Sequence, residues 1–341
     1  MPSSRSFSRF AVGVVGCLIA VGSASAQRTA PDQHVIRVWG FDGLSAQLLR
    51  WEADYGAAHP EIRFENQMHG AAAVMAGLYN GVADIALMGR EIWPVETMAY
   101  QWVFQQQPFG VVVATTGLHA PGQLFTPVVI VNAKNPLATI SLSQLDAIYG
   151  SEHRAAPANI RTWGELGVGG EWADKPIHPY GYSTEDALGV YFRHDVLHAD
   201  FKPNRESHLL SDRDHGTESA AERIARAVAA DPYAIGYTEV PRGGSTKVLT
   251  LGSAMGIEPT VDHLASHEYS LTRSLWIYFR RVPGQVVDPK VDGFVRFLLS
   301  PHGQTLMMPS DKLLPLPSAL IDKQIEKLDK PMPKAAVAEE N

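Results

Sequence analysis

Apolar positions along the chain follow two alternating rhythms. Short β-branched or apolar runs recur at Val35 to Trp39, Ile62 to Met68, Ala83 to Leu87, Phe109 to Thr115 and Pro127 to Ala133, with the length and composition of strands. Between the first two, Leu44, Leu48, Trp51 and Tyr55 fall at helical spacing, with Asp42 as the expected N-cap and Pro60 as the stop. Gly70 is expected to open an Ala-rich helix that ends near Gly81. Downstream, the pattern predicts a helix from Ser141 through Tyr149, a strand from Ile177 to Tyr182, and a helix capped by Ser183 or Thr184 and running to His194. A helix over Thr217 to Ala230 follows, then strands over Ala234 to Glu239, Lys247 to Leu251 and Leu275 to Arg281, and a helix over Asp288 to Leu299. The opening β-α-β-α-β series favours an α/β fold with a parallel sheet and helices on both faces.

In such sheets ligands meet the C-terminal ends of strands and the N-termini of helices, whose free N–H groups favour anions. Here those positions are Gly40 to Ser45, His69 to Ala72, Gly89 to Glu91 and Tyr182 to Asp186.

The first residues change the picture of location. Arg5 and Arg9 precede an apolar run from Phe10 to Gly22, and Ala24-Ser25-Ala26 follows as a small-x-small pattern. This is the layout of an export signal, residues 1–26, cleaved after Ala26. The run is too short to span a bilayer, and no other stretch approaches ~20 apolar residues. The one cysteine, Cys17, lies inside it. Cleavage after Ala26 therefore leaves no thiol for disulfides, metal sites or nucleophilic chemistry. Val14-Val15-Gly16-Cys17 also fits a lipoprotein cleavage box, which would anchor the chain at Cys17 instead. The expected location is periplasmic or secreted. With 29 basic and 36 acidic residues the net charge is −7, which argues against a nucleic-acid partner. From about Lys330 the chain is rich in Pro, Ala and Glu, the composition of a disordered tail.

Local spacing bears on two further kinds of chemistry. His194 and His198 are four apart on an expected helix, close to Asp195 and Asp200, but without the Glu of an H-E-x-x-H pattern. The reading requires no metal and no cofactor. Gly43-Leu44-Ser45 and Gly181-Tyr182-Ser183 each carry the first half of a G-x-S-x-G elbow, but Gln47 and Glu185 stand where the second glycine belongs, so a serine hydrolase is the weaker alternative.

Several ordered blocks resemble one family. These are Pro127-Val-Val-Ile-Val-Asn132 with Asn135-Pro136 and Ser141 to Tyr149, then Trp163-Gly-Glu-Leu-Gly167 with Gly170 and Trp172, and Asp231-Pro-Tyr-Ala-Ile-Gly-Tyr237. Tyr269 to Tyr278, Phe297 to Gln304 and Leu314-Pro-Leu-Pro317 complete the set. Over about residues 35 to 318 the chain resembles the substrate-binding proteins of ABC phosphate-uptake systems, which have the type II periplasmic binding protein fold. The resemblance implies two α/β lobes joined by two crossovers, with a ligand cleft between them. Lobe one would take 34–116 and 248–320, lobe two 117–247, and 321–341 would be a partly disordered tail. It also implies a receptor without catalysis, acting as a monomer that hands a small solute to an ABC permease in the membrane.

The ligand loops depart from the family pattern. The first loop retains Gly43 and Ser45. The second is His69-Gly70-Ala71-Ala72, so amides remain where the family has hydroxyls. The third reads Met88-Gly89-Arg90, without the family's Asp. The fourth reads Tyr182-Ser183-Thr184-Glu185-Asp186, without its Arg and Gly-Ser-Gly-Thr. Each lost hydrogen bond to a charged ligand is worth ~1.5–3 kcal/mol. The expected ligand-binding residues are therefore Gly43, Ser45, His69, Gly70, Ala71, Arg90, Tyr182, Ser183 and Thr184. The solute would be phosphate or another small oxyanion or a zwitterion. A secreted sensor or interaction module on the same fold is the alternative without transport.

Overall fold

The computed structural model describes residues 32–331, apart from 121, 157, 199–201, 215, 242, 253–254 and 308–311. The export segment with Cys17, Asp200, and residues 332–341 lie outside the described residues.

The chain opens with β1 (Val35–Phe41), α1 (Ser45–Ala58), β2 (Arg63–His69), α2 (Val74–Tyr79), β3 (Ile85–Met88), α3 (Pro94–Phe104) and β4 (Phe109–Thr116). Next come β5 (Val128–Asn132), β6 (Thr139–Ile140), α4 (Leu142–Tyr149), β7 (His178–Tyr182) and α5 (Ala187–Asp195). They are followed by β8 (His208–Leu210), α6 (Ala220–Ala230), β9 (Ala234–Thr238), β10 (Thr246–Val248) and β11 (Thr250–Leu251). The last part holds α7 (Val261–Ala265), β12 (Ser274–Phe279), α8 (Pro289–Leu299), α9 (Pro301–Thr305), β13 (Leu313–Leu314) and α10 (Ser318–Asp329).

Two sheets result. One has six strands in the order β13-β4-β12-β3-β1-β2, and the other five in the order β10-β5-β9-β7-β8. β11 and β6 form a separate two-stranded pair. The sheets are mixed rather than parallel. β12 runs antiparallel to β3 and β4, and β5 antiparallel to β9. The cause is topological: each of these strands enters its sheet from the other sheet. β12 starts at Ser274 opposite Thr115, where β4 is ending, and β5 starts at Val128 opposite Thr238, where β9 ends. A chain that crosses between facing strand ends must run back through its new sheet. Both crossovers therefore lie at the ends where loops carry ligands in α/β folds.

The apolar runs are buried as their sequences demand. Every residue of β4, β5 and β9 is buried. The α1 stripe of Leu44, Leu48, Trp51 and Tyr55 faces the core, and Trp51 Nε1 donates to the Gly303 carbonyl at 3.2 Å. Burying such a side chain contributes roughly 1.5–3 kcal/mol. The helix expected to start at Ser141 is capped there: Ser141 Oγ accepts the Gln144 N–H, and Gln144 Oε1 accepts the Ser141 N–H.

Other boundaries differ from expectation. Asp42 lies inside a short 3-10 turn over Asp42–Leu44 and does not cap α1. Residues 71–73 form turns closed by Ala73 N–H to Gly70 C=O and Ala76 N–H to Ala73 C=O, so α2 begins only at Val74. Residues 321–329, expected in a tail, belong to α10. That helix packs on β4, with the Gln324 Oε1 accepting the Val112 N–H at 3.1 Å. Among the described residues no helix is long and apolar enough to cross a membrane.

Candidate functional site

Arg273 sits where the second crossover meets β12 and ties both crossovers together. It is only 3% exposed. Its Nη1 donates to the carbonyls of Gln123 and Phe125 at 2.5 and 3.3 Å, and its Nη2 to the Gly89 carbonyl at 3.3 Å. The first crossover is drawn into a closed loop by the Thr126 N–H on the Gly117 carbonyl and by Thr116 Oγ1 against Thr126 Oγ1 at 3.0 Å. The guanidinium lies over the Tyr191 ring of α5, 4.7 Å from its centroid. Burial pulls its pKa down to about 10, so it stays charged at neutral pH. It makes no ion pair with a described carboxylate, its Nη hydrogen bonds going to backbone oxygens.

Around it lies a cleft of about 120 Å³ between the two lobes. Arg90, Glu91 and Trp93 line it from the β3–α3 loop, and Tyr191, His194 and Asp195 from α5. Thr272, Arg273, Ser274 and Trp276 close it from the start of β12. Burial raises the Asp195 carboxyl above its usual range, against the pull of His194 and Arg273.

Of the nine expected ligand residues, the structure brings Arg90 alone to this cleft. Arg90 is among the residues expected to bind the ligand. Instead Nη1 and Nη2 contact Glu96 at 2.7 and 2.8 Å, and they also donate to the carbonyls of Glu91 and Ala71, each at 3.0 Å. The guanidinium carbon lies 3.4 Å from the Trp93 ring centroid. Glu96 is also the third helical residue of α3, where its carboxylate accepts the Trp93 N–H. Thus the Ala71 contribution to Arg90 is a carbonyl rather than an amide.

The other residues stand apart. Gly43 lies in the 3-10 turn, and Ser45 Oγ donates to the Asp42 carbonyl at 2.7 Å. His69 ends β2 with its ring 4.3 Å from that of Trp39, and Gly70 uses its carbonyl in the following turn. Tyr182 is buried against Tyr237 and Phe125. Ser183 does not cap α5. It forms a turn in which its carbonyl accepts the Asp186 N–H, and Asp186 is the cap residue, with its side chain turned to Ser211 Oγ at 3.0 Å. Thr184 lines a separate crevice with Gly189, Phe192 and Arg193.

One of the free amides at the start of α5, that of Leu188, is already paired. Gln123, from the first crossover, accepts the Leu188 N–H with Oε1 at 2.9 Å and donates through Nε2 to Asp212 Oδ2 at 2.7 Å. Sequence reasoning missed Gln123, met Thr272 and Arg273 only inside a strand motif, and took up Asp195 only beside the histidine pair.

The local alternatives find no support in these contacts. α5 ends at Asp195, and His198 lies beyond it in a left-handed turn at φ 48°, so the four-residue spacing does not place two rings on one helical face. Among the described residues no group of three His, Cys, Asp or Glu could hold a metal ion. The half-elbow serines contact backbone, Ser45 through Asp42 and Ser183 through the Glu185 N–H.

The chain matches a PBP superfamily domain over residues 27–302. It is 26% identical over 295 residues to the phosphate-binding protein PstS of Pseudomonas aeruginosa strain PAO1, covering 85% of each chain. Its fold is similar to that of PstS from Borrelia burgdorferi, with a TM-score of 0.58 at 18% identity, covering 83% of this chain and 99% of the other. It is also similar to an ABC-type phosphate transport receptor from Vibrio cholerae, with a TM-score of 0.57 at 20% identity, covering 82% and 100%. The two mixed sheets, the paired crossovers and a family match over most of the length agree, and the chain belongs to the PBP superfamily, with its two-lobed α/β fold.

Proposed function

We propose that the protein is the exported solute-binding component of an ABC-type uptake system. It encloses one small solute bearing an anionic group between its lobes, residues 34–116 with 248–320 and residues 117–247, and presents it to a membrane permease. It makes and breaks no covalent bond. It works outside the cytoplasmic membrane, after residues 1–26 are removed.

The observation that carries this reading is Arg273. It is a buried cation with no carboxylate partner in contact among the described residues, placed at both crossovers and lining a cleft with walls from each lobe. A charge held there attracts an anionic group more strongly than a solvated one would. Closure about the crossovers brings the walls together.

The curated relatives are named for phosphate, but three contacts in this chain disfavour it. Arg90 is neutralised by Glu96, the Leu188 amide is paired with Gln123, and Asp186 stands buried at the start of α5. A thermal-shift screen over oxyanions, amino acids and sugars tests the reading. A solute at about 100 times its Kd adds roughly 2.7 kcal/mol and raises the melting temperature by several degrees. No shift with any solute contradicts it.

A further inference from the structure

The cleft at the crossovers contains donors that the fold leaves unmatched. Arg90 Nε, Arg273 Nε and Thr272 Oγ1 are buried and have no hydrogen-bond partner among the described residues. All three residues line the same cleft, and the two arginines are 5% and 3% exposed. Their Nη atoms already hold Glu96 and backbone carbonyls, so the unmatched atoms are the ones left over for something else. Leaving such donors buried and unpaired is costly. Three on one cleft call for a group rich in acceptors, such as a carboxylate.

Charge selects among the oxyanions. Glu96 cancels Arg90, which leaves Arg273 as the excess cation. On the α5 side stands Asp195, which interacts electrostatically with Arg273 without an ion-pair contact, and Glu91 adds a second acid at the rim. The lining thus sets two acids beside the Arg273 cation. Asp195 has a neighbouring base in His194, whose Nδ1 lies 3.6 Å from Oδ2, but Glu91 has none in the lining; a dianion would add charge beside both acids, whereas a ligand that carries a cation as well would not. The Trp93 and Tyr191 rings already carry the guanidinium groups of Arg90 and Arg273, and Trp276 completes the lining as an apolar wall. The volume of about 120 Å³ equals roughly four water molecules at about 30 Å³ each, room for a ligand of few heavy atoms.

We propose that this cleft binds a small amino-acid zwitterion, its carboxylate on Thr272 and the Nε groups of Arg90 and Arg273, its ammonium toward Asp195. This deepens the receptor reading above and rests on it.

Isothermal titration of the protein with glycine, L-alanine, acetate and inorganic phosphate tests it. Glycine or alanine binds with a micromolar or tighter Kd, acetate at least about tenfold more weakly, and phosphate more weakly still. Thr272→Val removes a hydroxyl without any internal partner, so the fold stands while amino-acid affinity falls about tenfold. Asp195→Asn lowers amino-acid affinity about tenfold and leaves acetate unchanged. Acetate binding as tightly as the amino acids overturns the ammonium assignment. Amino-acid affinity indifferent to both substitutions overturns the site. Phosphate binding most tightly, indifferent to both substitutions, overturns the zwitterion while the receptor reading stands. Silence toward all four overturns the zwitterion alone if the thermal screen finds another solute, and both readings if it finds none.

Discussion

Gln123 Oε1 accepts the backbone N–H of Leu188 at 2.9 Å, although 65 residues separate them. The bond joins the first crossover to the start of α5. A helix start presents free amides, and a side-chain oxygen from within the chain satisfies one of them much as an anion would. The same side chain donates to Asp212 Oδ2, whose other oxygen accepts the Ala220 N–H at the start of α6. One amide thus couples the crossover to two helices of the second lobe.

Gln123→Ala is expected to lose about 1–2 kcal/mol of stability, the range for a half-buried cap with two hydrogen bonds. Gln123→Glu costs more near neutral pH, because the new carboxylate lies against Asp212 and loses the donor. Chemical denaturation of the three proteins at one pH measures the order.

Arg90 and Glu96 are 5% and 8% exposed, and each is the other's charge partner. Arg90→Ala leaves a buried carboxylate and is expected to destabilise by about 3–5 kcal/mol. Arg90→Met with Glu96→Gln recovers a large part, because no unpaired charge remains. Urea unfolding of the single and double variants distinguishes this from a pure ligand-binding role, which would leave the ligand-free stability unchanged.

Gly189 packs under the turn that precedes α5. A Cβ there would lie 2.0 Å from the Ser183 carbonyl oxygen, whereas a Cβ on Gly89 would meet the mobile end of Leu124. Gly189→Ala must move backbone and is expected to cost about 3 kcal/mol, more than Gly89→Ala. Melting temperatures rank the two.

Glu52 is buried in α1, and burial raises its pKa to about 7 despite the hydrogen bond from Asn66 to Oε2 at 2.7 Å. The unfolded carboxyl ionises near 4.3. A folded-state pKa above the unfolded one makes the folded chain hold its proton longer, so the group's contribution to stability falls as pH rises between about 4.3 and 7 and is flat above. Glu52→Gln keeps an acceptor for Asn66 and should raise the melting temperature at pH 8, flattening that part of the profile. A steeper profile in the variant would contradict the assignment.

Much of the fold was legible because burial and local chemistry agreed. The α1 stripe, the Ser141–Gln144 cap and the β-branched runs of β4 and β5 carry their structure in adjacent residues. α3 was not legible, because its pattern is inverted. Val95, Met98, Trp102 and Val103 are exposed, while Glu96 and Tyr100 are buried, one holding Arg90 and the other packed beside Phe104. The site was harder still. Arg90 and the loop positions are neighbours at strand ends, but what decides their roles lies far along the chain. Gln123 is bound by Arg273 150 residues later, and Tyr191 donates its hydroxyl hydrogen to the Leu271 carbonyl 80 residues away. Spacing within one loop carries no trace of such partners.

The most direct test is a crystal structure of the protein with the solute that the thermal screen identifies. Density is expected in the cleft at the crossovers, in hydrogen-bond reach of Arg273 Nε and Thr272 Oγ1, with Gln123 still on Leu188. Density at the start of α5, with Gln123 displaced from Leu188, would contradict it.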